Sequence, residues 1–266
     1  MNPTVREIIE AIEEKARPEW QESFDNTGWQ ILMPGAIDEE CTGALLCVDV
    51  TPDIVEEARA RKCNLIITHH PLLFHGLKRI DSENRVGQCV MDVIQDSISV
   101  YSCHTSIDSS PWGVSHYLGR ELGLENMEVL KPGNYPDVGL GVVGDLSEPL
   151  SAKELVKRIA SVTHSPVGRC SGVPSDSVRI KRVAVAGGAC GDMIPLALAK
   201  GAEAMITSDV KHNQFIDHES RIMVVDLGHY ETEECTKAIF YDIITGKFPN
   251  FVPCYSEVEQ NPITYL

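Results

Sequence analysis

Two adjacent histidines, His69 and His70, end an apolar run in the segment IITHHPLLFHG (residues 66–76). Pro71 biases His70 towards an extended conformation, and adjacent residues of an extended chain point to opposite sides. One small metal ion would not readily take both rings, whereas two neighbouring ions could take one ring each. The pair therefore indicates a dinuclear metal site. The alternative is a partly exposed pair of histidines at a strand end, because imidazole is a frequent metal ligand but also serves other roles.

A second candidate group lies in VYSCHTSIDSSPWG (residues 100–113), where a β-like run leads into a polar turn. Asp is disfavoured inside strands, so we expect Asp108 in the following loop, where it could offer a hard oxygen ligand or move a proton. The alternative for Asp108 is an Asx-turn or the cap of a helix that begins near Gly113. We expect His104 to be a buried neutral ring, an orienting partner of the ligands or a proton-transferring catalytic group, rather than a ligand.

The third group is VVDLGHYETEE (residues 224–234), in which His229 and Glu233 lie four residues apart. If a helix begins near His229, both side chains occupy one face and form a chelating pair. Such spacings also arise by chance, and an acidic first helical turn is favoured by the helix dipole. The signal gains weight because the segment follows a strand placed equivalently to the one before Asp108.

These groups supply three imidazoles and two carboxylates, which cannot fill two separate coordination spheres without sharing a ligand. We therefore predict a site for two divalent metal ions, with Glu233 as the bridging carboxylate and water completing the coordination. Nitrogen and oxygen ligands without thiolates suit zinc, iron, manganese or cobalt and do not choose among them.

A further polar segment, ITSDVKHNQFIDH (residues 206–218), follows another predicted strand. We expect Asp209, Lys211 and His212 on the same rim, where they would contact substrate or support the ligands, with His212 a candidate for proton transfer. The alternative is an ordinary helix start capped by Ser208 or Asp209. The segment GGACGD (residues 187–192) lacks the lysine and spacing of a phosphate-binding loop, so its glycines indicate a tight turn between a strand and a helix.

Short apolar runs rich in β-formers alternate with helical patterns along both halves of the chain, which is typical of α/β proteins. In each half, strands end at the polar segments described above, and ligands of open α/β sheets sit beyond such carboxyl ends. We therefore predict two similar α/β units whose strand carboxyl ends could face one another, with the dinuclear metal site between them; the facing arrangement itself is what the family resemblance given below implies. The predicted boundaries are residues 1–124 for the first unit, 125–180 for a connecting segment with one strand and one helix, and 181–266 for the second unit.

The amino-acid composition restricts which partners we expect the protein to bind and in which compartment we expect it. The chain has 266 residues and a formal net charge of −16, which disfavours binding to nucleic acids and anionic membranes. The nine cysteines form no C-x-x-C pair and stand mostly in apolar runs, as expected of reduced thiols in the cytoplasm. We find no pattern of an export signal and no apolar stretch long enough to span a membrane.

Five motifs, in the same order, make the sequence similar to the GTP cyclohydrolase 1 type 2 family, also described as dinuclear metal centre hexameric proteins. ESFDNTGWQI resembles the family's W-D-N-x-G stretch with Phe24 in place of Trp, and ITHHPLLF resembles its T-H-H-P-L-x-F. HTSID resembles H-T-N-L-D, ITSDVKH resembles T-G-D-V-K-H, and DLGHYETE resembles D-x-G-H-x-x-x-E. Ser106, Ser208 and Asn213 depart from the family pattern near the site and leave the ligands intact.

The resemblance implies the metal ligands at the matching positions, and it also implies a toroidal homohexamer. Those ligands are His69, His70, Asp108, His229 and Glu233. For function it implies a metal-dependent hydrolase acting on a small molecule, with GTP ring opening and formate release as the reaction named, and other nucleotides, phosphoesters or cyclic C–N bonds as further options. The alternative function is a non-enzymatic scaffold for metal binding, metal insertion or regulation.

Overall fold

A computed structural model describes residues 2–165 and 168–265 of the chain. The strands of this described part are β1 (Gly28–Ile31), β2 (Ala44–Cys47), β3 (Leu65–Thr68), β4 (Ser99–Ser102), β5 (Leu124–Pro132), β6 (Gly139–Leu150), β7 (Arg169–Ser171), β8 (Ile180–Val185), β9 (Ala204–Thr207), β10 (Met223–Asp226) and β11 (Cys254–Tyr255). The α-helices are α1 (Val5–Glu13), α2 (Pro52–Ala60), α3 (Arg85–Gln95), α4 (Thr105–Asp108), α5 (Val114–Leu122), α6 (Ala152–Val162), α7 (Ile194–Ala199), α8 (His212–His218), α9 (His229–Glu233) and α10 (Thr236–Lys247).

Contacts between residues divide the chain into two compact units. Unit 1 consists of Met1–Ile107 and Thr236–Gln260, and unit 2 consists of Asp108–Cys235 and Asn261–Leu266. The prediction of a mixed α/β fold is confirmed. No helix in the described part of the chain is long and apolar enough to cross a membrane.

Unit 1 contains a five-stranded sheet in the order β1-β4-β3-β2-β11. Strands β4, β3, β2 and β11 run parallel, and β1 pairs antiparallel with β4 at one edge. Every residue of β2, β3 and β4 is buried, as expected for parallel strands covered on both faces. Residues of α2 and α3, including Ile54, Ala58, Val90 and Val93, form one apolar core with strand residues such as Ile66.

Unit 2 contains a six-stranded mixed sheet in the order β5-β6-β8-β9-β10-β7. Strands β8, β9 and β10 are parallel, while β5, β6 and β7 join by antiparallel pairing. One core cluster packs α7, through Ile194 and Ala197, against Ala184, Met205 and Val224 of the three parallel strands. The parallel strands therefore end at one edge of each sheet, and these edges carry the polar motifs.

Local signals of the sequence account for the helix starts. Thr4 and Ser151 each cap a helix with a full capping box, using Glu7 and Glu154 respectively. Thr51 caps α2, which begins at Pro52. The predicted tight turn in GGACGD also exists, with Gly188 at a φ of +67° after β8.

The bounds of the two units differ from the predicted segments 1–124, 125–180 and 181–266. The predicted connecting segment was expected to hold one strand, but β5, β6 and β7 fall largely within it. All three belong to the sheet of unit 2, where β5 pairs with β6, β6 with β8 and β7 with β10. Helix α10 and strand β11, expected in the second unit, belong to unit 1, where α10 packs on α1 and β11 pairs with β2. Hydrophobic pattern fixes the type of each element, whereas the choice of sheet depends on long-range pairing that the pattern does not encode.

Candidate metal centre

In unit 1 the polar motifs follow the carboxyl ends of three neighbouring parallel strands. Asp49 follows β2, His69 and His70 follow β3, and His104 follows β4. The ladder continues past the assigned strands, because the His70 amide donates to the Val48 carbonyl at 2.9 Å. Side chains that are separate in sequence therefore meet at one edge of the sheet.

Three imidazoles come together at this edge. The ring centroids of His69 and His70 are 5.0 Å apart, and the His104 centroid lies 5.2 Å from the first and 5.5 Å from the second. One ring nitrogen of each histidine can be chosen so that the three atoms lie within 4.8 Å of one another. His69 is fully buried, while the side chains of His70 and His104 are 23% and 16% exposed. We call His69, His70 and His104 the histidine cluster.

An oxygen acceptor faces the Nδ1 atom of each member of the histidine cluster. The distances are 3.1 Å from His69 to the Cys103 carbonyl, 3.2 Å from His70 to Asp49 and 2.7 Å from His104 to Asp25. When Nδ1 carries the proton and donates it to such an acceptor, the lone pair of the neutral ring lies on Nε2. This is the usual arrangement of metal-binding histidines, in which the second nitrogen is held by a carboxylate or a carbonyl.

The two carboxylates behind the cluster are held in their ionised forms. Burial opposes the charge of Asp49, but the hydrogen bond and charge of His70, together with Arg85, outweigh burial, and the pKa of Asp49 lies below its usual value. Burial also opposes the charge of Asp25, yet its contacts with His104 and Thr105 bring its pKa far below the usual value. Both aspartates can therefore accept hydrogen bonds from the imidazoles.

Unit 2 repeats this arrangement at the ends of β9 and β10. Asp209 follows β9, and His229 begins α9 two residues after Leu227, so the helix predicted near His229 exists. His229 Nδ1 lies 2.8 Å from Asp209 Oδ2, and His229 Nε2 lies 2.9 Å from Glu233 Oε2. Asp226 supports both loops, because it accepts from the amides of Val210 at 2.9 Å and of residue 228 at 3.2 Å.

The contact between His229 and Glu233 fits a bound cation. With Nδ1–H donated to Asp209, the lone pair of Nε2 would face a carboxylate oxygen, and two acceptors at 2.9 Å repel each other unless a proton or a metal ion lies between them. Ligand atoms that are each about 2.0–2.2 Å from one zinc ion lie roughly 3 Å apart when they adjoin in its shell. The donor set of His229 and Glu233 therefore fits a divalent metal ion.

Glu233 is buried, with 4% of its side chain exposed, and the chain makes room for it at Gly188. A Cβ atom on Gly188 would lie 2.1 Å from Glu233 Oε1. Burial raises the pKa values of Cys190 and Cys235, and the charges of Asp108 and Glu233 raise them further. Both thiols therefore stay protonated at neutral pH, which leaves the carboxylates as the charged groups of this part of unit 2.

The structure places the predicted site residues as follows. His69 and His70 lie in the histidine cluster with His104, for which the sequence had favoured an orienting or proton-transferring role over ligation. Asp108 ends the short helix α4, rather than standing in an open loop, and is partly buried. His212 is exposed at the first residue of α8, and the structure does not bring it into the pair formed by His229 and Glu233.

Sequence reasoning missed three of the aspartates that support this centre, and it placed Asp209 on the rim without a partner. Asp49 follows a strand that neighbours β3, so the rule on carboxyl ends could have found it. Asp25 lies in the D-N-x-G motif, which had been noted without a role. Asp226 is the last residue of β10 and opens the D-x-G-H-x-x-x-E motif, which had likewise been noted without a role for this residue.

Comparison with known proteins matches the chain to one family over almost its whole length. The model of the family described as Duf34/NIF3 (NGG1p interacting factor 3) matches residues 3–262. The chain belongs to this family. The resemblance inferred from the five motifs is confirmed, because curated relatives carry the name GTP cyclohydrolase 1 type 2 homolog.

Two such relatives cover most of this member of the Duf34/NIF3 family. The protein from Clostridium acetobutylicum is 31% identical over 236 residues, which is 88% of this chain and 86% of that protein. The protein from Nostoc sp. is 35% identical over 230 residues, which is 86% of each. Among solved structures, the hypothetical protein SA1388 of Staphylococcus aureus has a TM-score of 0.90 at 24% identity and covers 100% of both chains. Reduced HcgD from Methanocaldococcus jannaschii has a TM-score of 0.81 at 24% identity, covering 97% of this chain and 99% of that one. These structures show a shared fold.

Proposed function

We propose that this Duf34/NIF3 protein binds two divalent metal ions and is a metal-dependent hydrolase of a small molecule. The proposed ligands are the five residues predicted from the sequence, namely His69, His70, Asp108, His229 and Glu233. One observation carries the proposal. Four histidines at strand ends, the histidine cluster and His229, each have an oxygen acceptor at Nδ1 between 2.7 and 3.2 Å. Metal-binding histidines almost always have such an acceptor at the nitrogen that does not bind the metal.

Divalent ions in such a site would supply a nucleophilic water at neutral pH and polarise the bond under attack. The chain's own residues would then position the substrate and move protons. As long as no ion is bound to its Nε2, His104, backed by Asp25, can accept or donate a proton there, and the carboxylate of Asp108 is a second candidate for this role. Both residues belong to the set predicted as catalytic, together with the exposed His212.

The proposed substrates are GTP, through opening of its guanine imidazole ring with formate release, or another nucleotide, phosphoester or cyclic C–N compound. The name shared by the curated relatives supports the first of these. A net charge of −16 does not favour a triphosphate, so any nucleotide would depend on the few basic residues that lie close to the motifs in sequence, such as Lys78, Arg79 and Lys211.

Elemental analysis of protein purified without added metal tests the binding proposal. We expect about two equivalents per chain in the wild type and a clear loss in Glu233→Ala, because the bridging ligand is removed. Glu56→Ala is the matched control, since Glu56 is 62% exposed and pairs only with Arg59 among the ion pairs described. Fewer than one equivalent in the wild type, or equal metal in Glu233→Ala and wild type, contradicts the two-ion proposal.

A substrate screen with the reconstituted protein tests the enzymatic part. GTP, other nucleotides and simple phosphoesters would be incubated with the zinc, iron, manganese and cobalt forms, and formate and phosphate would be measured. Turnover that disappears in Glu233→Ala supports the hydrolase. Rapid metal exchange without turnover across the screen supports the alternative of a metal-insertion or regulatory scaffold.

We also propose a homohexamer with a toroidal form, which follows from the family resemblance, and a cytoplasmic location, which the buried thiols favour. Light scattering coupled to size exclusion tests the assembly. The expected mass is six times the 29.3 kDa of one chain. A mass of one or two chains at micromolar concentration contradicts the hexamer.

A further inference from the structure

We propose that Asp25 is a positioning residue that makes His104 the third metal-binding imidazole of unit 1. The inference rests on the proposed metal binding and extends it, because neither the motif resemblance nor the comparisons assign a role to Asp25 or a ligand role to His104. Its basis is a buried carboxylate and the loop that carries it.

The side chain of Asp25 is fully buried and is surrounded by donors. Oδ1 lies 2.7 Å from His104 Nδ1 and accepts from the Asn26 amide at 2.7 Å. Oδ2 accepts from the Thr105 amide at 2.9 Å, from the Thr27 hydroxyl at 3.0 Å and from the Thr105 hydroxyl. Because the other partners donate, the carboxylate is an acceptor for all of them, and His104 Nδ1 must carry the proton that it shares with Asp25.

The segment that carries Asp25 is tied to both loops that hold the histidine cluster. Asn26 Nδ2 donates to the Leu73 carbonyl at 2.8 Å, in the loop after His70. Thr27 Oγ1 accepts from the His104 amide at 3.1 Å. The D-N-x-G motif therefore fixes the two loops in place and sets the orientation of the His104 ring.

Burial separates Asp25 from the other aspartates behind the histidines. The side chains of Asp49 and Asp209 are 43% and 55% exposed, so water can take over part of their hydrogen bonding. Water cannot reach Asp25 in the same way. With Nδ1 held by a buried carboxylate, His104 presents its Nε2 lone pair, and the carboxylate makes that nitrogen a stronger donor to a cation. One ring nitrogen of each of the three imidazoles lies within 4.8 Å of the other two, so the rings of this one unit are close enough to hold one ion.

The test compares wild type, Asp25→Asn and the control Asp38→Asn, whose side chain is 73% exposed and pairs with Arg6. Co²⁺ titrations followed by visible absorption report both affinity and the number of nitrogen ligands. Loss of a carboxylate behind a metal-binding histidine typically weakens binding about 10- to 100-fold. We expect a loss of this size and an altered spectrum in Asp25→Asn, and wild-type behaviour in Asp38→Asn.

A second measurement needs no metal. Long-range ¹H–¹⁵N spectra of the metal-free protein report the tautomer of each histidine. We expect His104 to be the Nδ1–H tautomer in the wild type and a mixture in Asp25→Asn, because the amide offers both a donor and an acceptor. A purely structural role of Asp25 would leave the tautomer unchanged in a folded variant.

A double-mutant comparison distinguishes action through His104 from any other effect. His104→Gln should weaken Co²⁺ binding about as much as Asp25→Asn, and the double variant should lose little more. If Asp25→Asn does not fold, His104→Gln alone still decides the ligand role. Wild-type affinity in His104→Gln, or in a folded Asp25→Asn, overturns the inference. Absence of Co²⁺ binding by the wild type instead refutes the proposed function, and the tautomer experiment still tests the contact between Asp25 and His104.

Discussion

Replacing Gly188 by alanine should displace Glu233 and weaken metal binding while leaving the fold of unit 2 intact. The new Cβ would lie 2.1 Å from Glu233 Oε1, and Cβ atoms essentially never approach another atom closer than 3.0 Å. The carboxylate must therefore retreat by about 1 Å, which exceeds the roughly 0.2 Å tolerance of metal–ligand distances. The 2.9 Å contact between Glu233 and His229 cannot survive such a shift unchanged.

The substitution also has a backbone effect that must be separated from the clash. Gly188 has a φ of +67°, and an L-residue in the left-handed region costs roughly 1–2 kcal/mol. Gly201 provides a matched control, because its φ is +75° and the nearest atom to an added Cβ is Arg182 Cδ at 3.9 Å. Gly201→Ala therefore has the conformational cost without the contact to Glu233.

Calorimetric titration with Zn²⁺ and thermal unfolding of the metal-free proteins together separate the clash with Glu233 from the backbone cost. Both variants should lose about 1–2 kcal/mol of unfolding free energy, and Gly188→Ala somewhat more. Only Gly188→Ala should lose metal affinity, by about tenfold or more. Equal affinity of Gly188→Ala and wild type, with the wild type binding metal, would refute the placement of Glu233 in the site.

Three other outcomes follow from buried charges and thiols. In the folded protein the pKa of Asp25 lies below its ordinary value of 3.8, so the ionised carboxylate stabilises the fold above pH 3.8, and this stabilisation is lost as the pH falls through the lower folded pKa. Acid unfolding followed by circular dichroism should therefore show a smaller loss of stability in a folded Asp25→Asn than in the wild type. Glu259→Gln should lower the melting temperature by more than Glu56→Gln, because it removes the negative charge that lies 2.9 Å from the ammonium group of Lys237, whose side chain is only 9% exposed. Burial raises the pKa values of four core thiols, those of Cys41, Cys47, Cys63 and Cys89. In the native protein they should not react with a thiol reagent at pH 8, and the fold should lose stability as the pH rises past their ordinary pKa of 9.0. Reaction of all four thiols in the native protein at pH 8 would contradict this prediction.

The strands and the candidate ligand side chains at their ends could be located from the sequence because their signals are local. His70 stands before Pro71 at the end of an apolar run, and His229 and Glu233 have the spacing of one helical turn, so residue type and period suffice. The capping boxes at Thr4 and Ser151 are equally local, and both formed.

The partners of the ligands could not be predicted in the same way. Asp25 reaches His104 from 79 positions away in the sequence, through a loop that carries no regular period. The ring of His104 had no visible partner in its own segment, so nothing local indicated that it would join His69 and His70. The assignment of α10 and β11 to unit 1 depends on which sheet has an open edge and an uncovered face, and that is decided only when both sheets exist.

Unit 1 is built from two segments that are far apart in the chain, and this order has a consequence for biosynthesis. The ribosome makes the segment with His69, His70 and His104 well before α10 and β11, which complete the same sheet and its covering layer. Asp108–Cys235, which carries every strand of the six-stranded sheet of unit 2, emerges in between, so that sheet can form while unit 1 still lacks one edge strand. The nascent chain would thus hold three imidazoles on an unfinished scaffold, and metal loading of unit 1 is expected to be a late, largely post-translational event.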